Sequence, residues 1–446
     1  MGGELSMQML RGGWPGTGKR ARAGGYLVER LGRANRSWLS ALESEACEFV
    51  RETQRRFQDR VVVVAFSGGK DSVVTSHLVR RALGYWPIHV FADTTLEYPD
   101  TYDFLSKLTA SNGRFPLLVA KPDVDFYELC ETIGPPSRVL RWCCSTHKVS
   151  PLGRLYSTLN GSRGVLSFGG VRRSESAARA RHVRVHEDSK IGREVFACPV
   201  IEWSDAEVWA YVLTRRLPIS RAYRLGFTRV GCMVCPLNSG WTEAVAEYHY
   251  PQVRRWWAFL KAYFLAHGYH DAEERVRSGA WKARAGRTDR TYRQYDLGRS
   301  ECLSDARATT YELQTGWREA FWEYMKPFGR IRPISDDGVS AERVVVDRTG
   351  EPIAAISVVR PRAHVRVTSL APERADLLRT RVERQLRKYQ ACVGCGACVA
   401  VCRRGAISVS GGYRIDEERC TGCLDCVRLL SRGCPAAHSV SHAEGR

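Results

Sequence analysis

The sequence predicts an α/β fold: a parallel sheet interleaved with helices, a helical extension, and a small α+β unit crowded with cysteines. Three observations predict it. Short β-branched runs alternate with helical patterns between about residues 40 and 240. Trp241, Trp256, Trp257, Trp281, Trp317 and Trp322 mark a helix-patterned stretch over 241–330. Eight of the 16 cysteines fall within 386–446 at short, repeated spacings.

In chain order, residues 1–37 are Gly- and Arg-rich and predict a flexible segment. Residues 13–19 fit the first part of a phosphate-loop pattern. Arg20, however, stands where Ser or Thr should bind Mg²⁺, and no apolar strand precedes, so the match is rejected. A helix is predicted over 38–57, then a buried parallel strand over 61–66, where the residues are apolar without alternation. A glycine turn and a helix over 72–83 follow, with further strands at 88–92, 117–120 and 165–168. These elements define a domain at 38–240. The aromatic spacing in 241–330 reads as helix core in preference to a nucleic-acid stacking surface. Short β-like runs between 342 and 368, interrupted at Gly350-Glu351-Pro352, belong to a small basic α+β segment at 331–385. A basic helix over 373–389 leads from it into the cysteine-rich end at 386–446.

At 446 residues, with 44% hydrophobic and 26% charged, the chain has the composition of a multidomain globular protein. No apolar run approaches the roughly 20 residues of a membrane span. The N-terminus has no compact apolar core of a secretion signal, so the expected location is cytoplasmic and no membrane partner is expected. In that setting clustered cysteines read as metal ligands and not as disulfides. The net charge of +20 fits polyanionic partners such as nucleotides, acidic carriers or nucleic acid, and equally fits a solvated Arg-rich surface.

Cys392, Cys395, Cys398 and Cys402 form C-x2-C-x2-C-x3-C, and Cys420, Cys423, Cys426 and Cys434 form C-x2-C-x2-C-x7-C-P. The two-residue spacing turns successive thiolates onto one inorganic cluster, whereas structural zinc prefers isolated C-x2-C pairs. The segment resembles bacterial-type ferredoxins. That resemblance implies two 4Fe–4S clusters with exchanged fourth ligands: Cys392, Cys395, Cys398 and Cys434 on one, and Cys420, Cys423, Cys426 and Cys402 on the other. Arg403 replaces the usual proline after Cys402, and the x7 gap lengthens the second run; neither removes a ligand.

After the 61–66 strand comes Ser67-Gly68-Gly69-Lys70-Asp71-Ser72, opening a helix. Glycines let backbone N–H groups face an anion, the helix start adds partial positive charge, and Lys70 neutralises phosphate oxygens. Strand, loop and helix together resemble the pyrophosphate (PP) loop of the adenine-nucleotide α-hydrolase superfamily. The stretch 91–102, which includes Asp93, resembles a D-T-x-x-x-x-P-E-T-Y element of phosphoadenylyl-sulfate (PAPS) and adenylyl-sulfate (APS) reductases. Residues 169–176 and Arg179 resemble the same family's G-x-R-R-x-(Q/E)-S-x-x-R element, which implies that Arg172, Arg173 and Arg179 meet sulfate or phosphate oxygens.

Cys143-Cys144 with Cys232-x-x-Cys235 resembles the CC…CxxC arrangement of APS reductases and implies a third 4Fe–4S cluster; a structural zinc site is the alternative. Cys47, Cys130 and Cys198 read as packing residues. The family's nucleophilic cysteine lies in an E-C-G-x-H tail, of which only Glu301-Cys302 is present, followed by Leu303-Ser304. Cys302 is thus either the nucleophile or an ordinary half-exposed thiol. Lys70 also departs from APS reductases, which usually carry an acidic residue there, and matches ATP-splitting relatives.

The resemblance implies an iron–sulfur oxidoreductase of sulfur metabolism. It would reduce PAPS or APS to sulfite and release AMP or adenosine 3′,5′-bisphosphate, with an external donor feeding the fused clusters. The alternative is a sulfurtransferase that splits ATP to AMP and pyrophosphate while thiolating tRNA or DNA.

Overall fold

The computed structural model describes residues 19–110, 115–159, 163–187, 190–283, 297–302, 305–360, 363–371, 373, 375–428 and 433–437. Most of the rejected phosphate-loop pattern at 13–19, and Leu303 and Ser304, lie outside them.

Where the sequence predicted a flexible segment over 1–37, the described part forms α1 (Lys19–Ala34). The cause is packing: α1 lies on the helix Asp205–Thr214, with Gly32 against Thr214. Next comes α2 (Arg36–Arg56), which buries Leu39, Ala46 and Val50. The first sheet contains β1 (Val61–Ala65), β2 (Ile88–Ala92), β3 (Leu117–Ala120), β4 (Val165–Gly169), β5 (Val185–His186) and β6 (Glu194–Ala197), ordered β3-β2-β1-β4-β6-β5. Every pairing is parallel except β5 with β6. Val63, Val64, Val165, Leu166 and Phe168 are completely buried, because helices cover both faces. Those helices include α3 (Lys70–Leu83), α4 (Pro99–Ala110), α5 (Phe126–Ile133), α6 (Trp142–Cys144), α7 (Ser150–Leu159) and α8 (Asp205–Thr214). Strand order reverses between β1 and β4, so the loops after these two strands flank the crevice where such sheets bind ligands.

Three helices follow: α9 (Gly240–His249), α10 (Val253–Ala266) and α11 (Ala272–Arg277). Trp256 and Trp281 are buried there, while Trp241 is exposed. The helical reading of 241–330 then needs correcting. β7 (Leu297–Glu301) and β8 (Ala308–Leu313) are strands, and α12 (Phe321–Met325) is one short helix beyond them. They join β9 (Arg330–Asp336), β10 (Ser340–Val346), β11 (Pro352–Val359) and β12 (His364–Ser369) in an antiparallel sheet ordered β7-β8-β12-β11-β10-β9. β7 and β9 are its edges and are largely exposed, so neither shows the apolar alternation of a half-buried strand.

From this sheet one apolar core runs without a break through α13 (Ala375–Ala391) into the C-terminal end, joining Tyr311, Ile356, Leu386, Val401 and Ile415. That end contains α14 (Ala397–Val401), β13 (Ile407–Ser408), β14 (Arg414–Ile415) and α15 (Asp425–Arg428). It docks on the first domain through α14 and α7. A Cβ added at Gly153 would lie 2.6 Å from Ala400 Cα, so only glycine admits this approach. The Gly192 amide donates to the Ala400 carbonyl at 2.9 Å. No helix among the described residues is long and apolar enough to cross a membrane.

Candidate functional site

The loop after β1 is built as its composition demands. Gly68 takes φ 75°, a left-handed value that a β-carbon disfavours. The Ser72 hydroxyl donates to the Gly69 carbonyl at 2.7 Å, and the Lys70 amide donates to the Tyr223 hydroxyl at 2.9 Å. After β4, a Cβ at Gly170 would sit 2.6 Å from the Asp71 carbonyl carbon, so this strand end can press directly on the loop. Arg172 is thereby brought to Lys70. Together with Asp71 and Asp205 they form a four-charge cluster. Lys70 Nζ is 3.1 Å from Asp71 Oδ2 and 3.0 Å from Asp205 Oδ1. Arg172 Nε is 2.6 Å from Asp71 Oδ1, and its Nη2 is 2.9 Å from Asp205 Oδ1. Lys70 and Arg172 are buried, while the Asp205 side chain is 61% exposed. Burial pushes the Asp205 carboxyl up, but Lys70 and then Arg172 outweigh it and hold the group below its ordinary value.

The other two arginines face carboxylates. Arg173 pairs with Glu202 and donates to the His182 carbonyl, and Arg179 pairs with Glu175. Asp93 ends the β2 turn, accepting from the Thr95 amide at 2.9 Å and the Tyr102 hydroxyl at 2.7 Å. The sequence reading missed Asp205 and Tyr223. Ser204-x-x-Glu207 does signal a helix start, and it forms a capping box, but nothing local announces a partner for Lys70.

The β2 turn leads to the internal cysteines. Glu97 bridges Cys232 through the backbone, and the Met233 amide donates to Leu96 at 2.8 Å. The Cys232 thiol lies 3.4 Å from both Thr94 Oγ1 and Glu97 Oε1. Cys143 and Cys232 of the internal four pack against one apolar core. Cys143 is raised by its hydrogen bond with Cys144, by burial, and by the charges of Cys144, Cys232 and Cys235. Lys148 Nζ lies 4.0 Å from Glu97 Oε1, and the lysine is raised by Cys232, Glu97, Cys144 and Cys235 against the opposing effect of burial.

At the C-terminal end thiols of both runs meet: Cys392, Cys395, Cys398, Cys426 and Cys434 line one cavity. Burial raises Cys395, and so do Cys434, Cys398 and Cys392. Burial pushes Cys426 up to about 12, with contributions from Cys398, Cys402 and Cys420. Cys423 is exposed and is raised by burial of its sulfur, by Asp425 and by Cys402. Thiols gathered on one cavity are a donor chemistry that fits a 4Fe–4S cluster. Cys302, by contrast, follows β7 on the edge of the second sheet. Its amide donates to Ala308, and its thiol lies 3.9 Å from Arg366; the structure does not place it among the loop residues.

A phosphoadenosine phosphosulfate reductase domain model matches residues 61–238, and a 4Fe-4S dicluster domain model matches 391–436. An adenosine 5′-phosphosulfate reductase of Geobacillus kaustophilus is 32% identical over 184 residues, covering 41% of this chain and 74% of that protein. The chain belongs to the PAPS/APS reductase family. An uncharacterized protein of Methanocaldococcus jannaschii is 32% identical over 251 residues, 56% of this chain and 51% of that protein. A second uncharacterized protein of that organism is 28% identical, with 60% of its length covered, so this chain spans about half to three-fifths of these two relatives. A crystal structure of PAPS reductase from Candida auris, a phosphate complex, aligns with 44% of this chain and 93% of its own at 20% identity and TM-score 0.34.

Proposed function

We propose that this family member is an iron–sulfur reductase of an adenylyl sulfate, PAPS or APS, with its electron-delivery module fused to it. One observation carries the reading. The apolar core around Trp142 and Trp256 takes in Cys143 and Cys232 from the internal set together with Val393, Cys434 and Ala436 from the C-terminal end. Thiols at the two ends therefore line a single packed interior, an arrangement suited to electron transfer and superfluous for a detached stabilising domain.

In this reading the 67–72 loop and the β4 arginine bind the nucleotide's anionic end, with Asp71 and Asp205 giving up part of their hold on Lys70 and Arg172. Cys392, Cys395, Cys398 and Cys434 hold one cluster. Cys402, Cys420, Cys423 and Cys426 hold another, and Cys143, Cys144, Cys232 and Cys235 hold a third. Bound there, the clusters supply one-electron carriers, fed by a low-potential external donor. The overall step balances: two electrons enter, the S–O bond breaks, sulfur leaves as sulfite, and the nucleotide retains the bridging oxygen on its phosphate. Cys302, on the second sheet, is given no step at the nucleotide.

The second reading, an ATP-dependent sulfurtransferase acting on tRNA or DNA, is favoured by Lys70 and by the +20 charge. Anaerobic protein given ATP, APS or PAPS with a reduced donor separates the two. Sulfite from APS or PAPS without pyrophosphate is the expected result. Pyrophosphate from ATP that rises with added tRNA or DNA would overturn it.

A further inference from the structure

Helix α13 carries a row of basic residues, Arg381, Arg384, Arg387 and Lys388. The three arginines are partly exposed, but Lys388 turns inward and is only 2% exposed. Its Nζ has no hydrogen-bond partner among the described residues and stands 3.9 Å from the centre of the Tyr413 ring. The Tyr413 ring is itself buried and stacked on Tyr324 at 4.5 Å. An ammonium in such a place is costly unless negative charge surrounds it. The groups that surround it are the Tyr413 ring and thiols of both C-terminal runs. It lines the same cavity as Cys392, Cys395, Cys398, Cys434 and Cys426.

We propose that Lys388 is a fixed buried positive charge between the two terminal 4Fe–4S clusters, holding both at higher reduction potential than their thiolates alone would set. The inference rests on the dicluster reading of these thiols. Each cluster gains one electron from the external donor and one unit of negative charge. A cation already seated between them stabilises that reduced form without reorganising, and it does so for both clusters. A low-dielectric position also shields it from salt.

The test is a redox titration of the full chain, purified anaerobically and followed by EPR, in the wild type and in Lys388→Met, Lys388→Gln and Lys388→Arg. In the Met and Gln variants both midpoints are expected to fall by at least a tenfold change in the reduction equilibrium, about 59 mV for a one-electron couple. The fall should persist at high salt, and the Arg variant should remain near wild type. Iron and acid-labile sulfide are measured on each sample. Wild-type protein without two terminal clusters would refute the dicluster reading itself. Unchanged midpoints in an iron-replete Met or Gln variant, or movement of one midpoint alone, would overturn the role of Lys388; if the Met variant holds less iron, the Gln variant decides.

Discussion

Lys70 and Lys388 are both buried lysines, one in the loop after β1 and one beside the C-terminal thiols, and they are balanced in opposite ways. Lys70 meets two carboxylates and shares them with Arg172. Lys388 meets thiols and an aromatic face. A carboxylate-paired cation can exchange its partner for an incoming phosphate or sulfate, with Asp205 already open to solvent on one side. A cation enclosed by cluster ligands has no such exchange, and its charge acts on whatever those ligands hold. In the proposed reading the same side chain thus serves a changing anion at one end and a permanent one at the other.

The largest expected effect tests the first half of that contrast. Lys70→Ala should weaken ATP binding by about 10²-fold, or roughly 2.7 kcal/mol, the order expected when a charge-assisted contact to a phosphate is lost. APS turnover should fall by less than about tenfold, because Arg172 remains. Calorimetric titration with ATP and steady-state rates on APS measure the two losses. Equal losses would mean that Lys70 does not discriminate between them.

The next effect separates the two ends by pH. Burial lowers His77 and His89 to about 4, and both lie in the parallel-sheet domain. A histidine held neutral in the fold binds its proton in the unfolded chain first, near pH 6.5. Stability is therefore fully present above that pH and is lost as pH falls from about 6.5 towards 4. His89 is fully buried, and its loss should be on the order of 2 kcal/mol. Urea unfolding at pH 7 and pH 5, followed by probes in each region, should show the parallel-sheet domain weakening, with His89→Asn flattening the pH slope. A pH-independent midpoint would contradict this.

Where the two ends meet, packing decides. Gly153→Val should disturb the contact of α7 with Ala400 and cost about 1–3 kcal/mol. Sulfite formation with the external donor should slow while nucleotide affinity stays constant. Unchanged donor-driven turnover would separate electron delivery from this interface.

These contrasts were unevenly legible in the sequence. The parallel sheet was readable because β1 and β4 are buried on both faces, and such strands show as unbroken apolar runs. The dicluster domain at 391–436 was readable because cluster ligation fixes short spacings. The outer strands of the second sheet were not, since an exposed edge such as Arg330–Asp336, with Pro333 inside it, carries no alternating pattern. Nor was α1, whose helix depends on packing against α8. Asp205 comes to Lys70 only through tertiary folding, and Lys388 sits in a basic helix that reads as a solvated face. Charge partners distant in sequence have no periodicity to betray them.

The smallest effect is the most direct probe of Lys70's exchangeable balance. Asp205→Asn removes one of its two carboxylates but leaves the α8 start intact, because Ser204 and Glu207 supply the cap. The freed ammonium should bind an anionic nucleotide more tightly, by about tenfold at low salt, corresponding to roughly 1.4 kcal/mol. With the Asp205 position exposed, the gain should shrink as ionic strength rises, unlike the salt-independent shift expected for Lys388. Calorimetric titration with AMP or APS at two salt concentrations measures both the gain and its screening. Weaker binding in the variant would instead make Asp205 a positioning residue for Lys70 and Arg172, and the carboxylate would be part of the bound state and not a competitor to it.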